Sequence, residues 1–67
     1  MSVKNNLKEI LESKGIKNVW LAEKAGINNS TVGNMIKNRH NPNVEIALRI
    51  AKALNMKVED IWEITEL

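Results

Sequence analysis

The sequence has no cysteine, no phenylalanine and no tyrosine, and only one proline and one histidine. Without cysteine there is neither a disulfide framework nor a thiolate metal site, and a reducing cytoplasm is the simplest compartment. His40 stands without a cysteine or an acidic cluster beside it, so imidazole chemistry has no partners to work with. There is no glycine-rich phosphate loop either. The chain is therefore expected not to be an enzyme, and to hold no metal and no cofactor. No apolar run approaches the roughly 18 residues of a membrane span, and no signal-peptide pattern opens the chain. A soluble protein that uses no membrane is expected.

What is present is aliphatic and basic. Sixty-seven residues make one domain, 1–67, whose core must be Leu, Ile, Val and Ala with two Trp. A domain of this size buries only about 60% of its unfolded surface, so its stability margin is thin and a partner subunit would help. At this length no ligand-sensing or protease-cleaved domain is expected, so control is expected from concentration, a partner protein or temperature-sensitive dimerisation. Net charge is +2, but residues 1–52 carry nine Lys/Arg against four acids, whereas residues 53–67 carry Lys57 against Glu59, Asp60, Glu63 and Glu66. A basic body points to a polyanion on one side.

Helix signals recur along the chain. Asn6 with Glu9 resembles a capping box, Leu7, Ile10 and Leu11 form a stripe and Gly15 is a stop, predicting a helix over about 6–14. Leu21, Ala22 and Ala25 before Gly26 predict a second over about 18–25. Asn28 as N-cap, with Val32, Met35 and Ile36, predicts a third over about 29–36. Pro42 and Asn43 open a fourth over about 44–54, with Val44, Ala47, Leu48, Ala51 and Leu54 as its core stripe. A one-turn helix follows at about 58–62, and the alternation in WEITEL suggests a strand that pairs antiparallel with MSVKN.

The third helix poses a question. INNSTVGNM puts asparagines, a serine, a threonine and Gly33 where propensity disfavours them, Gly costing about 1 kcal/mol against Ala. A solvated, capped helix would leave Gly33 unexplained, so a contact outside the helix is the better reading. Two short helices about the tight turn at Gly26-Ile27 form a helix-turn-helix over about 18–36.

LKEILESKGI, WLAEKAGI, STV, the NRHNP loop and IALRIAKALNMKVEDIW occur in an order and spacing that together are specific. From Leu7 to Ile61 the chain resembles the Cro/CI-type (Xre-like) helix-turn-helix repressor family. Its length and C-terminal extension look most like the compact cytolysin-repressor type, whose termini pair as strands and which dimerises. The resemblance implies an all-α, five-helix lambda-repressor-like domain with a small two-stranded antiparallel pairing of the termini. It also implies a transcriptional regulator, a repressor that binds an inverted-repeat operator in double-stranded DNA as a homodimer and excludes polymerase sterically.

The same resemblance assigns the site. The family lays its third helix in the major groove, which carries base contacts to Asn29, Ser30, Gly33 and Asn34. Phosphate contacts fall on Lys17 and Asn18 before and at the second helix, the latter where the family usually has Gln. Lys37, Asn38, Arg39 and Asn41 after the third helix complete the backbone grip. Thr31 either touches phosphate or a thymine methyl or back-bonds within its helix. Val32, Met35 and Ile36 are packing residues, although the family often has Glu in place of Ile36.

Two apolar sets remain. Ile61, Trp62, Ile64 and Leu67, within a C-terminal segment over about 56–67, either close the core or form a dimer patch, and the dimer is the favoured reading. Of Val19 and Trp20, one is expected to be partly exposed; Trp20 either packs on the fourth helix or the domain edge, or binds a partner. The rival function is accordingly an antitoxin-like or other protein-interaction module with a repressor-like fold.

Overall fold

The computed structural model describes residues 3–37 and 42–65, and along these the chain runs β1 (Val3–Asn5), α1 (Leu7–Lys14), α2 (Asn18–Ala25), α3 (Asn29–Ile36), α4 (Val44–Leu54), α5 (Val58–Ile61) and β2 (Trp62–Ile64). The strands pair antiparallel, Val3 opposite Ile64, Lys4 opposite Glu63 and Asn5 opposite Trp62, so the two ends of the chain are joined as expected.

Three helices end by the same device. After α1, α2 and α4 the chain turns through a left-handed residue, Gly15 (φ 67°), Gly26 (φ 71°) and Asn55 (φ 56°). The following N–H groups of Ile16, Ile27 and Met56 then bond back to the carbonyls of Leu11, Ala22 and Ala51, each at 2.9 Å. This is the Schellman arrangement, in which an apolar residue just past the helix packs back on the last turn while orphan carbonyls are satisfied.

Helix starts are less uniform. Asn43 accepts from Ile46 N–H at 2.8 Å and caps α4, in keeping with the start signal at Pro42-Asn43. The Asn6–Glu9 capping box does not form. Asn6 lies at φ −97° and ψ 8°, a backbone that makes no side-chain cap, and its amide instead donates to Glu63 Oε1 at 2.8 Å. The side chain serving α1 is one residue earlier, Asn5, whose Oδ1 accepts from Leu7 N–H at 2.9 Å. Asn28 sits at the N-cap of α3, yet its side chain accepts no bond there.

Every helix contributes to one aliphatic core, whose fully enclosed members are Leu7, Leu21, Val32, Met35, Ile50 and Ile61. Within α4 the expected stripe is displaced. Ile50, Ala51 and Leu54 are buried, but Val44 and Leu48 stay 76% and 56% exposed. The apolar arc of α4 is wider than the core it meets, so the Val44–Leu48 edge expected inside lies outside, while Ile50, absent from the expected stripe, is fully buried.

Candidate nucleic-acid interface

The pair α2 and α3 is built around the turn at Gly26. That residue's left-handed backbone swings the chain through Ile27 to Asn28, whose extended backbone (φ −73°, ψ 141°) launches α3. Arg49 of α4 braces the same corner: Nη1 donates to the carbonyl of Ala25 at 3.4 Å, while Nη2 pairs with Glu45 at 3.0 Å. Val32 and Met35 then press one side of α3 fully into the core.

Helical geometry decides what faces outward. With Val32, Met35 and half-buried Ile36 inside, Ser30, Asn34 and Lys37 lie on the opposite side, with Asn29 and Gly33 on one flank and Thr31 on the other. Asn29, Ser30 and Lys37 are exposed; Thr31, Gly33 and Asn34 are half-buried. None of the side chains of Asn28, Asn29, Ser30, Thr31 and Asn34 bonds to a described residue, which leaves Thr31 without the local back-bond considered for it. A Cβ added at Gly33 would meet nothing within 4 Å, so the missing side chain answers no need inside the monomer. The outer side of α3 is thus a row of uncommitted donors and acceptors around a gap.

Cations and open amides flank that row. Lys17 is exposed at the N-cap of α2 and Asn18 is exposed at its first position, beside N–H groups that the helix leaves unpaired. No acidic residue occupies the first turn of α2 or of α3, so neither helix start sets a carboxylate of its own against an anion. Asn38, Arg39, His40 and Asn41 lie outside the described residues.

The helix-turn-helix family model matches residues 7–61, from the start of α1 to the end of α5. The chain belongs to the helix-turn-helix family. It is similar to an uncharacterized HTH-type transcriptional regulator of Bacillus subtilis (strain 168), YgzD, with 34% identity over 64 residues, covering 96% of this chain and 97% of the relative. A second HTH-type transcriptional regulator, MJ0272 of Methanocaldococcus jannaschii, is 32% identical over 60 residues, covering 90% of this chain and 91% of its own length. An Archaeoglobus fulgidus regulator of the same description is 27% identical over 60 residues. The family is one of DNA-binding transcriptional regulators rather than enzymes. Among the described residues no helix is long and apolar enough to cross a membrane.

The two apolar sets differ in exposure. Ile61 has no exposed surface at all and closes the core of α1 to α5, so it has none to offer a second subunit. Trp62 is 9% exposed and Ile64 52%, and Leu67 lies outside the described residues. Val19 and Trp20 are both about half exposed, at 49% and 45%, because the inner face of α2 is filled by Leu21, Ala22 and Ala25. Both residues, where one was expected, therefore keep exposed surface.

Two residues that matter for the site carried little signal. Asn5 donates to the carbonyl of Met35 at 2.7 Å and so ties β1 to the end of α3, a link across 30 positions that no local pattern announces. Arg49 could be read as the i+4 partner of Glu45, but not as the brace of the turn.

Proposed function

We propose that the chain regulates transcription by laying α3 in the major groove of an inverted-repeat operator, as a homodimer of the Cro/CI type and in the manner of the compact cytolysin repressors. Asn29, Ser30 and Asn34 read base edges, and Gly33 lets the helix backbone come close. Lys17, Asn18, Thr31 and Lys37, with Asn38, Arg39 and Asn41 of the following loop, hold the phosphates. A bound dimer over a promoter represses by excluding polymerase. The protein acts where the DNA is, in the cytoplasm.

The observation that carries this reading is the outer side of α3, where unbonded Asn29, Ser30 and Asn34 surround a glycine with open space beside it. A helix evolved only to pack would not keep these residues at a cost of about 1 kcal/mol for the glycine alone. The test is selection of the purified protein against a random duplex library near physiological salt. Enrichment of a palindrome with half-site centres about ten base pairs apart supports the dimeric regulator. Asn34→Ala should then cost about 1–3 kcal/mol and relax preference at one base position per half-site. A folded protein that enriches no sequence overturns the reading.

One observation favours a second function, a protein-interaction module: Val19 and Trp20 are exposed side by side, next to a groove of Gly15, Ile16 and Lys17. For that function Asn34→Ala is silent and Trp20→Ala abolishes binding to the partner.

A further inference from the structure

The two ends of α3 are held to the rest of the fold by different means. Its start follows on the turn at Gly26, whose corner Arg49 braces through the Ala25 carbonyl. Its last turn is held by the burial of Val32 and Met35 and by a directional bond, from the side-chain amide of Asn5 to the Met35 carbonyl at 2.7 Å. Apolar burial is nearly indifferent to a small rotation or slide of a helix, whereas a hydrogen bond weakens steeply as its angle closes. The bond from Asn5 therefore defines where this end of α3 lies.

Asn5 is itself a fixed post. Its backbone pairs with Trp62 in the strand pair, and the next N–H, that of Asn6, donates to the carbonyl of fully buried Ile61 at 2.8 Å. Its Oδ1 accepts from Leu7 N–H at 2.9 Å, so both ends of the half-buried amide are engaged. The residues governed by the bond stand around Met35: Gly33 and Asn34 immediately before it and Lys37 two positions after.

We infer that Asn5 is a positioning residue for DNA recognition, setting the last turn of α3 through the Met35 carbonyl so that Asn34 meets its base edge while Lys37 meets its phosphate. The inference rests on the operator reading proposed above and adds to it a side chain already spent inside the protein. Groups that read a ligand must be held to within about 0.5 Å by the structure behind them. The side chains of Asn34 and Lys37 bond to no described residue, so their placement depends on the backbone that carries them. Asn29 and Ser30, at the other end of α3, take their placement from the turn instead. Lys17 and Asn18 lie on α2, so loss of the bond from Asn5 leaves their phosphate grip in place and falls mainly on sequence preference.

The bond can be removed while the cap of α1 is kept. Asn5→Asp retains an acceptor for Leu7 and loses the donor for Met35; Asn5→Ser does the same without a charge, its hydroxyl being one atom too short for Met35. Binding isotherms on the selected operator and on random duplex, at a temperature where circular dichroism shows each variant fully folded, read the effect. Operator affinity should fall about tenfold and random-duplex affinity about twofold or less, with preference relaxed at the base position that Asn34→Ala also relaxes. In double-mutant cycles Asn5→Asp should cost much less once Asn34 is replaced by alanine, and its full cost once Ser30 is. Asn55→Ala, which strains the left-handed stop of α4, is the control for lowered stability and should bind operator like the parent. Parental operator affinity in both Asn5 variants, a cost that adds fully to that of Asn34→Ala, or an equal loss in Asn55→Ala would each overturn the inference while the regulator reading stands. A parent chain that selects no sequence overturns both.

Discussion

The side-chain amide of Asn5 donates to the backbone carbonyl of Met35 at 2.7 Å, and the same side chain accepts from Leu7 N–H at 2.9 Å. One half-buried residue of β1 therefore starts α1 and holds a carbonyl at the end of α3, where the helix itself can no longer satisfy it. Since β1 pairs with β2, this amide links the strand pair to the helix proposed to read DNA.

Asn5→Ala removes both bonds at once. The cap and the part-buried carbonyl partner together predict a loss of about 1–3 kcal/mol, which in a domain of this size lowers Tm by roughly 4–8 °C for each kcal/mol. Asn5→Asp keeps the acceptor for Leu7 and loses the donor for Met35, so it should fall between the parent and Asn5→Ala. Thermal and urea unfolding measure both, and a loss below about 0.5 kcal/mol for Asn5→Ala would show that the amide links nothing of consequence.

Gly33→Ala separates folding from recognition because it should move them in opposite directions. The added methyl meets nothing in the monomer, and the helix gains up to about 1 kcal/mol in propensity. Against DNA the same methyl occupies the space through which the helix backbone approaches the bases, so operator affinity should fall. Tm and a binding isotherm on the selected operator decide the matter. A variant that is more stable and binds as well as the parent would remove Gly33 from the interface.

The elements were largely legible in the sequence because each carries its own local signal. Gly15 and Gly26 stop α1 and α2, Asn43 caps α4, and the alternation in WEITEL marks β2. What stayed hidden depends on neighbours. Leu48 and Ile50 are equally apolar, and only the placement of α4 against the rest of the fold buries Ile50 completely while leaving Leu48 on the surface. Ile61 and Ile64 differ in the same way, one sealed in the core and the other on β2 facing outward. Asn55 was missed as a helix stop, since asparagine takes the left-handed turn less often than glycine. The outer residues of α3, proposed to read DNA, stand out in the sequence because they break a local propensity rule, the kind of conflict expected where a function outside the fold is served.

The turn between α2 and α3 should resist substitution for a backbone reason. Gly26 has φ 71°, where a side chain costs about 1–2 kcal/mol, and an added Cβ would sit 3.1 Å from Arg49 Nη1. Gly26→Ala is therefore expected to destabilise the fold by about that amount. Because the crowding atom is the end of a flexible side chain, combining it with Arg49→Ala should restore little of the loss. Full recovery in the double variant, measured by urea unfolding, would mean that the steric contact with Arg49 rather than the left-handed backbone makes glycine necessary.

Salt dependence distinguishes the residues proposed to hold phosphate from those proposed to read bases. Three cations per copy, Lys17, Lys37 and Arg39, make six in a bound dimer, and counterion release at about 0.9 per neutralised phosphate predicts a slope of log K against log salt near −5. Lys37→Ala removes two of the six, so its slope should be shallower by about 2, with affinity lost evenly on operator and random DNA. Asn34→Ala releases no counterions; it should lower operator affinity at every salt concentration while the slope stays that of the parent. A titration series at four or five salt concentrations measures both variants. Equal slopes for Lys37→Ala and the parent would take Lys37 off the phosphate backbone, and a changed slope for Asn34→Ala would mean that the amide sits against phosphate rather than a base.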